Sequence, residues 1–270
     1  MKKQYGFQIY PMTAPLVLYS VSERVATITI NRPDKRNALN PELISSLTEA
    51  FLDASEDDLV KVIILKANGE VFSAGADLAY LQQLQQNSHE ENLNDSENLK
   101  KLYTTIYYLP KVVIAQIEGH AIAGGCGLAT VCDISFAVPE ANFGYTEVKL
   151  GFVPAIVSCF LLRKTSETIA KRILLTGELF PAQKAIDFGL ITFLAEPSEI
   201  AQRVQDFALT LCSETSANSL MVTKQLIGQT TNPLLEKNLE FAVQINARVR
   251  ESADFKRGVA SFVDKEKIKW

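Results

Sequence analysis

Hydrophobic and polar positions change their period several times along the chain. From Arg24 to Asn31, Ala26, Ile28 and Ile30 alternate with Val25, Thr27 and Thr29, a period that suits a strand. Arg32 to Leu39 is a polar turn, and Asn40-Pro41-Glu42 then predicts a helix start. Asn40 can cap, and Pro41 fits the first helical position, where no N–H is needed. Leu43, Leu47, Ala50, Phe51 and Ala54 recur at helical spacing and predict one buried face. Val60 to Leu65 reads as a strand. Val112 to Ile117 is a continuous apolar run of strand length, as expected of a parallel strand buried on both faces. Asp133 to Val138 is another, and Leu190 to Leu194 is the last. The polar stretch from Gln82 to Lys100, with His89, Glu90, Glu91, Asp95 and Glu97, reads as a solvated surface segment or lid. From Ala155 onward the pattern is mostly helical.

Strand–helix–strand order to about residue 155, followed by helices, implies an α/β fold with a parallel-rich core and a helical C-terminal region. The chain has 270 residues, 47% of them hydrophobic and 21% charged, enough to bury a full core without disulfides or metal staples. A net charge of −4 gives no polyanion-binding surface, so no nucleic-acid partner is expected. The four cysteines share no CxxC spacing and there are only two histidines, which argues against a structural zinc site. Three of the cysteines sit in apolar sequence, as reduced, buried thiols do. Gln4, Tyr5, Gly6 and Gln8 interrupt any apolar leader core after Lys2 and Lys3. Glu118, His120 and Asp133 interrupt the longest apolar stretch. The expectation is therefore a cytoplasmic protein with no membrane span.

Two glycine-rich turns break the regular pattern. One is Phe72-Ser-Ala-Gly-Ala-Asp-Leu78; the other is His120-Ala-Ile-Ala-Gly-Gly-Cys-Gly-Leu128, just after the run at Val112. Singly, Gly75, Gly124 and Gly125 are explained by tight helix–strand packing. Small residues at strand-to-helix turns allow close backbone approach and leave the first N–H groups of a helix free for negative charge. Neither turn has the Lys-Ser/Thr ending of a phosphate loop, and neither matches GxGxxG. Two separate sets of converging backbone donors would make an oxyanion hole.

These turns and the segments around them resemble the crotonase (enoyl-CoA hydratase/isomerase) superfamily from about Leu16 to Trp270. The collinear motifs are Asn31 to Leu39, Phe72 to Leu78, Gly119 to Asp133, Phe143 to Gly151, Leu175 to Gly177, Ala185 to Leu190 and Phe255 to Lys267. The resemblance implies an N-terminal extension (1–15), a β-β-α spiral core (16–200) and a helical C-terminal trimerisation region (201–270). It also implies a homotrimer or dimer of trimers that binds acyl-CoA thioesters and stabilises a thioester enolate. No cofactor or metal is implied, since the CoA thioester is itself the substrate. In motif register the two oxyanion donors are the backbone N–H groups of Ala76 and Gly124.

Family hydratases commonly carry two catalytic glutamates, one three residues beyond the oxyanion glycine and one in Phe-Gly-x-x-Glu. Here those positions are Gly127 and Glu147. Glu147 alone must then take a proton from water and return one to the α-carbon, or shuttle one between carbons. Among Phe143, Tyr145, Val148, Leu150 and Phe152, desolvation is expected to raise its pKa. A lone glutamate also resembles the Δ3,Δ2-enoyl-CoA isomerases, whereas Gly144 to Ser158 looks most like bacterial methylglutaconyl-CoA hydratase-type members. Decarboxylation of a glutaconyl-type ester, and a non-catalytic acyl-CoA-binding role, are further alternatives.

By the same resemblance, Lys35 and Arg36 contact the CoA nucleotide, while Ala38, Ala74, Asp77, Leu78 and Gly127 line the substrate groove. Phe262 and Lys265 resemble positions that reach CoA on a neighbouring subunit. Glu118 and Glu140 lie outside the motifs. His120 is expected to be buried and structural, His89 exposed, and Cys126 a packing residue with no base beside it.

Overall fold

A computed structural model describes residues 14–231, 234–266, 268 and 270. Most of the expected N-terminal extension lies outside the described residues. Two sheets organise the chain. The larger contains β1 (Val17–Ser22), β2 (Val25–Ile30), β3 (Val62–Ala67), β5 (Val112–Ile117), β7 (Ile134–Ala137) and β10 (Phe193–Leu194), in the order β1-β2-β3-β5-β7-β10. β1 runs antiparallel to β2, and every other neighbouring pair is parallel. The sequence pattern does not predict β1. It lies at the sheet edge with most of its residues exposed, and Glu23 and Arg24 turn it into β2 with both φ values positive, without the Asn-Gly signal that usually marks such a turn. The alternating β2 is buried at nearly every position, and β5 is buried throughout, as its unbroken apolar run predicts.

α1 (Pro41–Glu56) begins where predicted: the Asn40 side chain accepts from the Leu43 N–H at 3.0 Å. Its face of Leu43, Leu47, Ala50, Phe51 and Ala54 is buried. The polar stretch expected to be a solvated segment or lid is mostly exposed or half-buried, and it is helical: it takes in the end of α2 (Leu78–Leu84) and more than half of the long α3 (His89–Tyr108). Ser88 and Glu91 form a reciprocal capping box at the start of α3. Asp95 and Ser96 are buried there because their partners come from the C-terminal region: Arg250 Nη1 meets Asp95 Oδ2 at 2.6 Å, and Asn246 Nδ2 donates to Ser96 Oγ at 3.0 Å.

The second sheet is small and decides where the site lies. β4 (Val71–Ser73), β6 (His120–Ile122) and β8 (Asn142–Gly144) run parallel, and β9 (Phe180–Pro181) closes the edge antiparallel. Parallel strands end on the same side, so the segments after β4, β6 and β8 emerge together.

The remaining helices are α4 (Gly124–Val131), α5 (Ala155–Lys164), α6 (Glu167–Thr176), α7 (Ala182–Asp187), α8 (Ile200–Glu214), α9 (Ala217–Thr231), α10 (Leu235–Val249) and α11 (Ala253–Val263). Buried residues of α8 and α10 join the main core around the larger sheet, whereas Phe255 and Val259 of α11 form a separate cluster with Leu81 and Leu84 of α2. α11 crosses the turn that carries Glu147 so closely that a Cβ on Gly258 would stand 2.2 Å from the Leu150 carbonyl oxygen.

Candidate active site

A cavity of about 1170 Å³ opens where the three parallel strands end. β4 delivers Ala74, Ala76, Asp77 and Leu78 to its wall, β6 delivers Ala123 and Gly124, and β8 delivers Thr146 and Glu147. The first two turns touch: a Cβ on Gly75 would lie 2.8 Å from Ala123 Cβ and 3.6 Å from Gly124 N, and Gly75 itself has φ +86°. That φ favours glycine. Among the described residues, neither the Ala76 nor the Gly124 N–H donates a hydrogen bond within the protein. Gly124 begins α4, where a helix leaves its amides unpaired and its dipole attracts negative charge. Ala123 just before it has φ 50° and ψ −124°, a region costly for a residue with a Cβ.

Glu147 opens the short 3₁₀ turn that runs to Leu150. It is 8% exposed, and its Oε2 has no hydrogen-bond partner. Burial pushes its pKa up to about 7, with only its own backbone N–H acting in the opposite direction. It makes no ion pair with the nearby, exposed Lys149. A carboxyl that changes charge near neutral pH can both accept and return a proton.

Gly127 does not line the cavity. A Cβ there would meet Val157 Cγ1 at 2.5 Å and the Tyr103 hydroxyl at 2.9 Å, so no side chain fits at 127 unless one of these neighbours moves. Asp77 lines the cavity but its carboxylate is committed elsewhere. It caps α2 through the Ala79 and Tyr80 amides and meets Arg32 Nη1 at 2.5 Å. Burial alone would raise its pKa, but Arg32 and the two amides outweigh this and hold it below the ordinary value. Asp95 is likewise satisfied, by Arg250 and by the Tyr80 hydroxyl.

Lys35, Arg36 and Ala38 also border the cavity, with both cations exposed. Phe262, implied by the resemblance to reach a neighbour's substrate, lines the cavity of its own chain because α11 folds back onto α2 and the Glu147 turn. Lys265 lies beyond α11, is exposed and does not line the cavity. His120 is exposed, not buried, although its Nδ1 accepts from the Asn142 N–H at 3.1 Å. His89 is exposed and pairs with Glu251. Cys126 is buried, and desolvation raises its thiol to about 12. Cys159 and Cys212 are only partly buried, and all four cysteines are free. Glu118 and Glu140 are exposed. Arg32, Tyr80, Asp95, Asn246 and Arg250 also line the cavity and were not singled out from sequence. Their mutual spacing of up to 218 residues leaves no local signal, although Arg32 sits inside the Asn31 to Leu39 motif.

Among the described residues there is no helix long and apolar enough to cross a membrane and no cluster of three metal-ligating side chains. The enoyl-CoA hydratase/isomerase family model matches residues 20–270. A Thermus thermophilus protein carrying a provisional enoyl-CoA hydratase name is 39% identical over 241 residues, 89% of this chain and 95% of its own. The 2,3-dehydroadipyl-CoA hydratase of Escherichia coli is 30% identical over 253 residues, covering 92% and 96%. Among solved structures, an enoyl-CoA hydratase/isomerase from Xanthobacter autotrophicus superposes with a TM-score of 0.86 at 27% identity, covering 93% of this chain and 94% of that one.

Proposed function

The chain belongs to the enoyl-CoA hydratase/isomerase family, and from that premise we propose that it hydrates a 2-enoyl-CoA with Glu147 as its single catalytic carboxylate. The observation that carries this reading is Glu147 itself: a buried carboxyl with an unpaired oxygen, in the same cavity as two turns with free amides. The thioester oxygen is held by the Ala76 and Gly124 N–H groups. Glu147 takes a proton from water as the water oxygen bonds to C3. The C2=C3 pair moves into the thioester and places negative charge on its oxygen. Glu147 then returns the proton to C2, leaving a 3-hydroxyacyl-CoA and the carboxylate restored. Amides aimed at that oxygen favour the transition state over the ground state, and losing one such donor typically costs about 3–4 kcal/mol of barrier.

Lys35 and Arg36 are proposed to meet the CoA phosphates, for which cations are suited by charge and geometry. Ala38, Ala74, Leu78 and Phe262 would then flank the carrier. The similarity of Gly144 to Ser158 to methylglutaconyl-CoA hydratase-type proteins supports a branched acyl group bearing its own carboxylate. The E. coli relative, whose name specifies an acyl chain with a distal acid, supports the same class. Val222, Leu226, Ile227 and Phe241 are exposed on α9 and α10, as expected where copies of the chain cover one another. Together with the resemblance, this supports a homotrimer or dimer of trimers, proposed to act in the cytoplasm, and light scattering should give three or six times the chain mass.

One observation favours a second reading. The room for a second carboxylate at residue 127 is occupied, and a one-carboxylate site also suits moving a proton from C2 to C4 of a 3-enoyl-CoA. A product-resolved assay against methylglutaconyl-, crotonyl- and 3-hexenoyl-CoA decides. Hydration of methylglutaconyl-CoA faster than crotonyl-CoA supports the proposal. Conversion of only the 3-enoyl thioester, without water at C3, replaces it with the isomerase.

A further inference from the structure

A buried phenol beside the Gly124 turn has no part in the chemistry described above. Tyr103 of α3 is 0% exposed, and its hydroxyl donates to the Gly124 carbonyl oxygen at 2.8 Å. Its ring is fixed edge-on against Phe160, with centroids 6.1 Å apart. The strained Ala123 precedes Gly124, and its own N–H donates to the Gly144 carbonyl at 2.7 Å. One hydrogen bond therefore anchors the chain on each side of the Ala123–Gly124 peptide, whose own carbonyl accepts from the Gly127 N–H at 3.0 Å. A backbone conformation of this kind persists only where its surroundings over-determine it. The Tyr103 hydroxyl also stands 2.9 Å from where a Cβ on residue 127 would lie, closer than an ordinary contact. The phenol in its present place and a side chain at 127 are thus mutually exclusive.

We infer that Tyr103 is a positioning residue of the thioester site: its hydroxyl holds the Ala123–Gly124 peptide so that the Gly124 N–H faces the cavity, in room that exists because residue 127 is glycine. The inference rests on the reading of Gly124 as a donor to the thioester oxygen. It gives the glycine at 127 a positive role, making space for the group that fixes one oxyanion donor. Desolvation and the neighbouring Glu147 charge both push the phenol's pKa far up, so it stays protonated and keeps donating across the working pH range.

Tyr103→Phe removes one oxygen and keeps the ring. The probe is acetoacetyl-CoA, a 3-ketoacyl thioester whose C2 ionises to an enolate that absorbs in the near ultraviolet. Wild-type protein should form the bound enolate, and Tyr103→Phe should bind it at least about tenfold more weakly. For whichever enoyl-CoA the wild type converts, kcat should fall about 10- to 100-fold, below the full loss of an oxyanion donor. KM should stay within about twofold, and the pH-dependence set by Glu147 should be retained. Turnover and enolate binding both within about twofold of wild type would overturn the inference. So would a joint collapse of kcat, KM and melting temperature, which would make Tyr103 a packing residue. A wild type that converts enoyl-CoA but binds no enolate would instead refute the thioester-site reading on which it rests.

Discussion

Replacing Glu147 by Gln should make the protein more stable and nearly inactive, with the stability gain dependent on pH. Burial moves the carboxyl from its ordinary 4.5 to about 7. Between those values the folded chain holds a proton that the unfolded chain has released, so wild-type stability falls as pH rises through the interval. At about 1.4 kcal/mol per pH unit, ionising Glu147 in place costs about 3 kcal/mol above pH 7 and nothing below pH 4.5. Gln keeps the shape of the side chain and never ionises. The difference between Glu147→Gln and wild type should therefore grow by about 3 kcal/mol between pH 4.5 and pH 8. In a chain of this length that is about 5–6 °C of melting temperature. Turnover should fall 100- to 10,000-fold, the usual range for losing a general acid–base group. The check is thermal melting of both proteins at pH 4.5, 6 and 8, with turnover measured on the same samples. Melting curves that keep a constant separation across that range would refute the reasoning, because they would mean the carboxylate is hydrated in the folded protein. For activity the sign is opposite: hydration starts from the carboxylate, so kcat should rise with pH through about 7.

Lys35→Ala and Arg36→Ala should each raise KM for an acyl-CoA a few-fold with kcat unchanged. The effect should shrink at high salt because both cations are exposed, and KM at two ionic strengths checks it. Asp95→Asn leaves Arg250, 4% exposed, without its counter-charge and should cost about 3–5 kcal/mol in denaturant titration. Pairing it with Arg250→Met should recover much of that loss. Gly75→Ala must hold an L side chain at φ +86° and 2.8 Å from Ala123 Cβ. It should lower stability by about 1–2 kcal/mol or more and lower kcat as well, since the two amide-bearing turns would be pushed apart.

Local signals made much of the larger sheet legible and little of the smaller one. α1 announces itself by an Asn cap, a proline at the first position and five apolar residues at helical spacing, all of which act within one helix. β5 announces itself because burial on both faces requires an unbroken apolar run. By contrast β4, β6 and β8 are three residues each, too short for any period to show, although they set the site. The buried face of α3 is hidden in the sequence for another reason. Its Asp95 and Ser96 are polar and yet buried, satisfied by Arg250 and Asn246 some 150 residues later. Polarity alone cannot separate such a helix from a solvated lid.

The site divides along the same line between local and distant causes. Glycine turns and Phe-Gly-x-x-Glu are visible in sequence because main-chain donors demand small neighbours and a carboxyl needs an apolar flank. Gly127 is visible too, but only as the lack of an expected carboxylate. Its physical meaning depends on Tyr103 and Val157, which stand 24 and 30 positions away and converge on the empty side of that glycine. Inserting a glutamate at 127 therefore cannot by itself create a two-carboxylate site. Its Cβ would have to displace Val157 Cγ1 from 2.5 Å and the Tyr103 hydroxyl from 2.9 Å, and overpacking of this kind typically costs about 1–3 kcal/mol. The displaced hydroxyl is the one that anchors the Gly124 carbonyl. A second acid would thus be gained by loosening one of the two amides whose grip on the enolate oxygen makes either acid useful.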